Sequence, residues 1–175
     1  EGKSLTAVNL AMTLAAQEGR TLLIDADLRK PTTHSLVRGK KNPGLSDVLV
    51  GKAKASAAIQ QTLQGTNLAF LPSGTHAPSP ADLLTNRTMK GLLDGLRKFY
   101  DWIIIDTPPV GAVAEPLILA PLTDGVVVPL ESDDQPPRVG PLQDLRSMSP
   151  GPEGAVHIGS IGLTMEKAHR FINHH

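Results

Sequence analysis

The sequence predicts an α/β protein in which a parallel sheet is flanked by helices. Short, wholly apolar runs such as Leu22-Leu23-Ile24 and Ile103-Ile104-Ile105 read as strands covered on both faces. Segments with helical spacing, such as Met89, Leu92, Leu93 and Leu96, lie between them. Their alternation along the chain is the pattern of βαβ units.

In chain order, residues 3 to 18 read as a helix. Leu5, Val8, Met12 and Ala15 recur at helical spacing, with Leu10, Ala11 and Leu14 on other faces. Such a helix is expected to be buried nearly all round, with Gly19 as its cap. Thr21 to Ile24 is the first strand. Residues 28 to 46 are basic, broken by Pro31, Gly39, Pro43 and Gly44, and read as irregular. Short helices are expected at Ser46 to Val50 and around residues 53 to 63, then a strand at Leu68 to Leu71. Ser79-Pro80-Ala81-Asp82 is a helix start, with serine at the cap, proline first and an acid in the first turn. A helix follows over Thr88 to Tyr100, with Met89, Leu92, Leu93, Leu96 and Phe99 as its apolar stripe. Trp102 to Ile105 is the most hydrophobic strand, and the two prolines after Thr107 are expected to stop it. Gly125 to Leu130 and Val156 to Leu163 give two more strands, and Ser147 to Gly154 a loop.

At 175 residues the chain is one domain rather than two. Its 17 basic and 17 acidic residues balance, which argues against bulk affinity for nucleic acid or for a membrane surface. It has no cysteine, which excludes disulfides, thiolate metal sites and a cysteine nucleophile. It opens on Glu1-Gly2-Lys3-Ser4, inside a motif. Residues 1–175 are therefore read as a single phosphate-loop domain lacking its first strand and the start of that loop.

Three segments carry chemistry, each where a strand ends or a helix begins, the edge at which open sheets bind ligands. Gly2-Lys3-Ser4 matches the end of G-x-x-x-x-G-K-[ST]. Glycine lets the backbone approach polyphosphate, the helix N-terminus and lysine supply positive charge, and the serine hydroxyl suits magnesium. The bland alternative is an exposed helix start with a solvated lysine. In Leu22-Leu23-Ile24-Asp25-Ala26-Asp27-Leu28-Arg29 an apolar strand delivers Asp25 and Asp27 to one side, because strand side chains alternate. Paired acids there suit a magnesium site, with one free to take a proton from an attacking hydroxyl; a solvated turn is the alternative. Ile103-Ile104-Ile105-Asp106-Thr107-Pro108-Pro109 is a strand ending in aspartate, the second metal-holding pattern of phosphate-loop proteins, or else a simple turn cap. Their order on one strand–helix framework predicts a site for ATP and Mg²⁺.

At these residues the sequence resembles the bacterial tyrosine kinases, autokinases of polysaccharide synthesis and export with a phosphate-loop fold of the deviant class. Residues 22 to 31, Leu-Leu-Ile-Asp-Ala-Asp-Leu-Arg-Lys-Pro, are similar to that family's second motif, and Ile-Ile-Ile-Asp-Thr-Pro-Pro-Val at 103 to 110 to its third. Asn42-Pro43-Gly44-Leu45-Ser46-Asp47, Leu71-Pro72-Ser73-Gly74 and Pro80-Ala81-Asp82-Leu83-Leu84 also match. The resemblance covers residues 1 to about 130. It implies that Gly2 and Lys3 hold the β and γ phosphates, that Ser4 ligates Mg²⁺ and that Asp106 holds the metal through water. Asp25 would be the base toward tyrosine and one of the metal residues, Lys3 and Asp27 would share in catalysis with Asp27 supporting the metal site, and Arg29 would be a further nucleotide-side residue. It also implies a homo-oligomer at the inner, cytoplasmic face of the cell membrane. The partner would be a transmembrane activator or a fused membrane domain of a polysaccharide export system, with no nucleic acid bound.

The sequence departs from the family in two places. Tyr100 is the only tyrosine, so no tyrosine cluster follows. The run Ile158-Gly159-Ser160-Ile161-Gly162-Leu163-Thr164 ends in threonine, where the family has an asparagine that helps place the base. Two other readings stand beside the kinase: a chromosome- or septum-positioning ATPase, and a non-catalytic nucleotide-binding regulator of export. His34 is read as structural, the basic residues of 29 to 41 as a solvated loop, and His174 and His175 as a terminus without a metal site.

Overall fold

The computed structural model describes residues 2–17, 19–62, 66–85, 87–110, 112–128, 138–140 and 158–165. The elements run α1 (Lys3–Ala16), β1 (Thr21–Asp25), α2 (Thr33–Leu36), α3 (Leu45–Leu49), α4 (Ala55–Ala58), β2 (Gln60–Gln61), β3 (Leu68–Leu71), α5 (Pro80–Thr85), α6 (Arg87–Leu96), β4 (Trp102–Val110), α7 (Glu115–Leu119), β5 (Gly125–Val128), β6 (Arg138–Gly140) and β7 (Ile158–Met165). One sheet holds all seven strands in the order β2-β3-β1-β4-β7-β5-β6.

The parallel sheet expected from the sequence is its core, since β1 pairs in parallel with both β3 and β4. The flanks are mixed. β2 is antiparallel to β3, and β7 is antiparallel to both β4 and β5. Alternation of side chains splits the apolar runs between two layers. Leu22, Ile24, Ile103 and Ile105 pack with Leu84, Met89, Leu93 and Leu119 of α5, α6 and α7. Leu23, Ile104, Leu68 and Phe70 point to the other face, against Ala7, Val8, Ala11 and Leu14 of α1. β1 is accordingly buried at all five positions, as a two-sided strand must be.

Several expectations need correction. α1 is not buried all round: Leu5 and Met12 are exposed, because the helix covers the sheet with one face only. Gly19 is not its cap, which is Gln17. Gly19 instead leaves room for Trp102, whose ring would stand 2.8 Å from a Cβ there. The irregular stretch contains α2, and the helix expected over 53 to 63 is cut to α4. Gln60 is drawn into β2 and its amide clasps Lys40, accepting from its N–H and donating to its carbonyl, each at 2.8 Å. A long-range contact there outweighs local helical preference. Phe99 is exposed because α6 stops at Leu96.

The two prolines do not end β4. Its register with β7 breaks between Asp106 and Pro109 and resumes with Pro109 opposite Gly159. The irregularity takes Pro108 out of the ladder, where a missing N–H costs nothing. Residues 129–130, 147–154, 156–157, His174 and His175 lie outside the described residues.

Two of the quoted segments are stitched together at the sheet edge. Leu45 and Ser46 donate their N–H groups to the carbonyls of Pro72 and Ser73, at 2.7 and 2.9 Å. Asp47 Oδ2 accepts from the N–H groups of Gly44 and Thr75, at 2.9 and 3.1 Å. A Cβ on Gly44 would stand 2.3 Å from both Gly74 N and Pro72 O, which are backbone atoms and cannot swing aside. Gly44→Ala is therefore expected to destabilise the fold by about 1–3 kcal/mol or more, read as a lower midpoint in urea unfolding.

Candidate functional site

The carboxyl ends of β1 and β4 place the candidate residues. Asp25 and Asp106 are the last paired positions of the two parallel strands and stand directly side by side. Asp25 is fully buried and Asp106 nearly so. Asp25 Oδ1 accepts the Asp27 N–H at 3.2 Å, and Asp106 Oδ2 accepts the Thr33 hydroxyl at 2.7 Å. The other oxygen of each, Asp25 Oδ2 and Asp106 Oδ1, is buried with no hydrogen-bond partner among the described residues.

α1 begins at the same edge. Gly2 caps it with φ of 103°, a left-handed conformation that favours glycine, and its carbonyl accepts the Thr6 N–H at 2.8 Å. The helix thereby brings half-buried Lys3 and Ser4 to Asp106, where the Ser4 hydroxyl and the Lys3 charge both favour the ionised carboxylate. Ser4 Oγ also lies 3.5 Å from the Thr32 hydroxyl.

Electrostatics follow from this crowding. Burial, then the neighbouring Asp106 and Asp27, push the Asp25 carboxyl up to about 8. Burial also raises Asp106, opposed by its contacts with Ser4 and Thr33. Two adjacent buried carboxylates with orphan oxygens either share a proton or hold a cation. Two carboxylates and a hydroxyl suit Mg²⁺, which takes few protein ligands and leaves its other positions to water or phosphate oxygens. The residues present thus fit the metal. A cavity of about 500 Å³ lies elsewhere on the molecule, between α3 and α5, and contains none of them. The site is an open sheet edge rather than that cavity.

The other predicted residues are close in chain but differently employed. Asp27 turns one oxygen back on its own loop, Oδ1 accepting from the N–H groups of Arg29 and Lys30 at 3.2 and 2.9 Å. Arg29 meets Glu115, its Nε donating to Oε1 at 2.7 Å. Thr164 falls beside Ile103, towards the amino end of β4, because β7 is antiparallel; it does not reach the carboxylate edge. His34 lies in α2, and Lys30, Arg38, Lys40 and Lys41 are exposed, as a solvated loop requires.

Sequence reasoning missed Thr33 and Glu115. Nothing in Pro31-Thr32-Thr33 marks a hydroxyl that spans 73 residues to Asp106. For Glu115 the available signal was an acid followed by proline at a helix start, just beyond the third motif.

A glycine-capped helix N-terminus bearing lysine and serine, set against two strand-end aspartates, defines a phosphate-loop nucleotide-binding domain. The chain belongs to the family whose model is described as AAA domain, which matches residues 1–136. Its relatives include proteins named as bacterial tyrosine-protein kinases. It is 44% identical over 132 residues to the tyrosine-protein kinase YwqD of Bacillus subtilis, covering 75% of this chain and 55% of the relative. It is 36% identical over 153 residues to the succinoglycan biosynthesis transport protein ExoP of Rhizobium meliloti, covering 86% of this chain and 19% of the relative. The solved VpsO kinase domain matches with a TM-score of 0.67 and 37% identity, over 71% of this chain and 61% of that one. The chain thus spans only part of the proteins it matches, 55% of YwqD.

Proposed function

We propose that the chain is the nucleotide-binding part of an ATP- and Mg²⁺-dependent protein-tyrosine kinase that phosphorylates its own kind and serves capsular or exopolysaccharide synthesis and export. The observation that carries this is the buried Asp25–Asp106 pair with its two unpartnered oxygens beside Lys3 and Ser4. Kinship with YwqD and ExoP supports the activity and the setting. Residues 1–175 are read as one domain of a longer protein. The whole protein would work as a homo-oligomer at the cytoplasmic face of the membrane, with a transmembrane activator or a fused membrane domain as partner. Among the described residues no helix is long and apolar enough to cross a membrane.

In this reading Gly2 and Lys3 bind the β and γ phosphates through backbone N–H and ammonium, and Arg29 adds a second cation. Ser4 and Asp106 would hold Mg²⁺, with Asp25 beside them, and the metal would offset phosphoryl charge. The Asp25 carboxylate takes the proton of the tyrosine hydroxyl as that oxygen attacks the γ phosphorus. The bond from phosphorus to the β-γ bridging oxygen breaks and ADP leaves. Burial raises the Asp25 carboxyl, so once ionised it is a stronger base than an ordinary aspartate. Asp27 acts by fixing the turn that follows.

Tyr100 is a poor acceptor. It is half-buried against the core beside α6, and burial raises its phenol above the ordinary value. The test is to incubate the whole protein with Mg²⁺ and ATP and map phosphotyrosine by mass spectrometry. Phosphotyrosine outside residues 1–175, unchanged in Tyr100→Phe, is the expected result. Steady ATP hydrolysis with no tyrosine labelled, alone or with the membrane partner, would replace this reading with a positioning ATPase. Nucleotide binding with neither activity would point to a regulator.

A further inference from the structure

We propose that Glu115 is a positioning residue that holds the Arg29 guanidinium ready for the terminal phosphoryl group of the nucleotide, an inference that rests on the site reading above. Glu115 opens α7 and is fully buried. A carboxylate is buried at high cost unless a charged donor meets it. The donor is Arg29, across 86 residues of sequence, with Nε 2.7 Å from Oε1. Glu115 Oε2 has no hydrogen-bond partner among the described residues. The pair is asymmetric: the Arg29 side chain is 48% exposed and that of Glu115 only 1%. A solvated surface ion pair would expose both ends.

The way Arg29 is held matters for what it can still do. Guanidinium carries five N–H donors, and anchoring through Nε leaves the planar fork of two Nη groups. Among the described residues those groups have no acceptor, and Arg29 forms no other side-chain bond. Such a fork matches phosphate oxygens in a way a lysine does not.

The loop that carries Arg29 is tied at both ends to the carboxylate pair. Two residues earlier Asp27 donates its N–H to Asp25, and Thr33, four residues later, donates to Asp106. The segment therefore leaves one member of the carboxylate pair and returns to the other. Asp27 Oδ1 fixes the intervening turn by taking the Arg29 and Lys30 N–H groups. Asp27 thus sets the main chain of Arg29, and Glu115 sets its side chain. The ligand class is an anion with several oxygens at the metal edge, and in a bound ATP that is the γ phosphate. ADP lacks it.

The test is calorimetric titration of the whole protein, in Mg²⁺, with ADP and with AMP-PNP. Wild type is compared with Arg29→Ala, Glu115→Ala, Glu115→Gln and the double alanine variant. Loss of a charge-assisted phosphate contact is worth about 10-fold or more in affinity. AMP-PNP binding is expected to weaken by that factor in Arg29→Ala and in Glu115→Ala, and no further in the double variant. ADP binding should stay within about 3-fold throughout, a change that corresponds to about half a tenfold step. Glu115→Gln keeps the volume but removes the charge that anchors Arg29, so it is expected to weaken AMP-PNP binding relative to ADP in the same sense should the alanine variant fold poorly. Losses that add in the double variant, equal losses for ADP, or an unchanged ratio in the Glu115 variants would overturn the proposal while leaving the site reading intact. Failure of wild type to bind either nucleotide would overturn both.

Discussion

Asp25→Asn in the whole protein is expected to lower phosphoryl transfer to tyrosine by about 10² to 10⁴-fold, the usual contribution of a general base. Asparagine keeps the volume and can still accept the Asp27 N–H that Asp25 Oδ1 accepts. What it cannot do is take a proton. Nucleotide binding should change far less, because Lys3, Ser4 and Asp106 remain in place. An anti-phosphotyrosine blot read beside an ATP-analogue titration separates the two effects. Equal loss of binding and transfer would make Asp25 a ligand only, and the proton would need another acceptor.

The second large effect is on stability. The Asp25 carboxyl is raised from its ordinary 3.8 to about 8, chiefly by burial and then by Asp106 and Asp27. Between those values the native state keeps a proton that the unfolded chain has released. Stability therefore falls as pH rises through this window and is fully present only below it. The full span corresponds to on the order of 5 kcal/mol, since each pKa step is worth about 1.4. Asp106, raised in the same direction, adds to the trend. In calorimetric melts with EDTA the midpoint should drop from pH 5 to pH 8, and Asp25→Asn should remove most of the drop. Millimolar Mg²⁺ should restore stability at pH 8, because a cation takes the place of the shared proton. A midpoint that is flat with pH in wild type would mean the two carboxylates are not crowded as described.

Much of this was legible in the sequence because it is local. Apolar triplets such as Leu22-Leu23-Ile24 announce two-sided strands by composition alone, and the aspartate that ends each one lands at the sheet edge by continuity. Gly2-Lys3-Ser4 could be read because a helix N-terminus needs little beyond its own residues to present N–H groups. What stayed hidden depends on partners far away in the chain. Glu115 gains meaning only through Arg29, and Thr33 only through Asp106. The register of β4 past its prolines is set by β7, and the course of Gln60 by the loop at Lys40. Strand direction was the least legible feature. An apolar run is equally apolar read either way, so nothing in Ile158 to Leu163 says it opposes β4.

Titration of the whole protein with a fluorescent ATP analogue, with and without EDTA, tests the central claim most directly. Wild type should bind in a magnesium-dependent way. Lys3→Met should lose much of the affinity, since it removes the charge that faces the phosphates. Asp106→Asn should bind with the magnesium dependence gone, since it removes a buried carboxylate that would hold the metal. Unchanged affinity and unchanged magnesium dependence in both variants would contradict the account, because the edge formed by α1, β1 and β4 would then not be the nucleotide site.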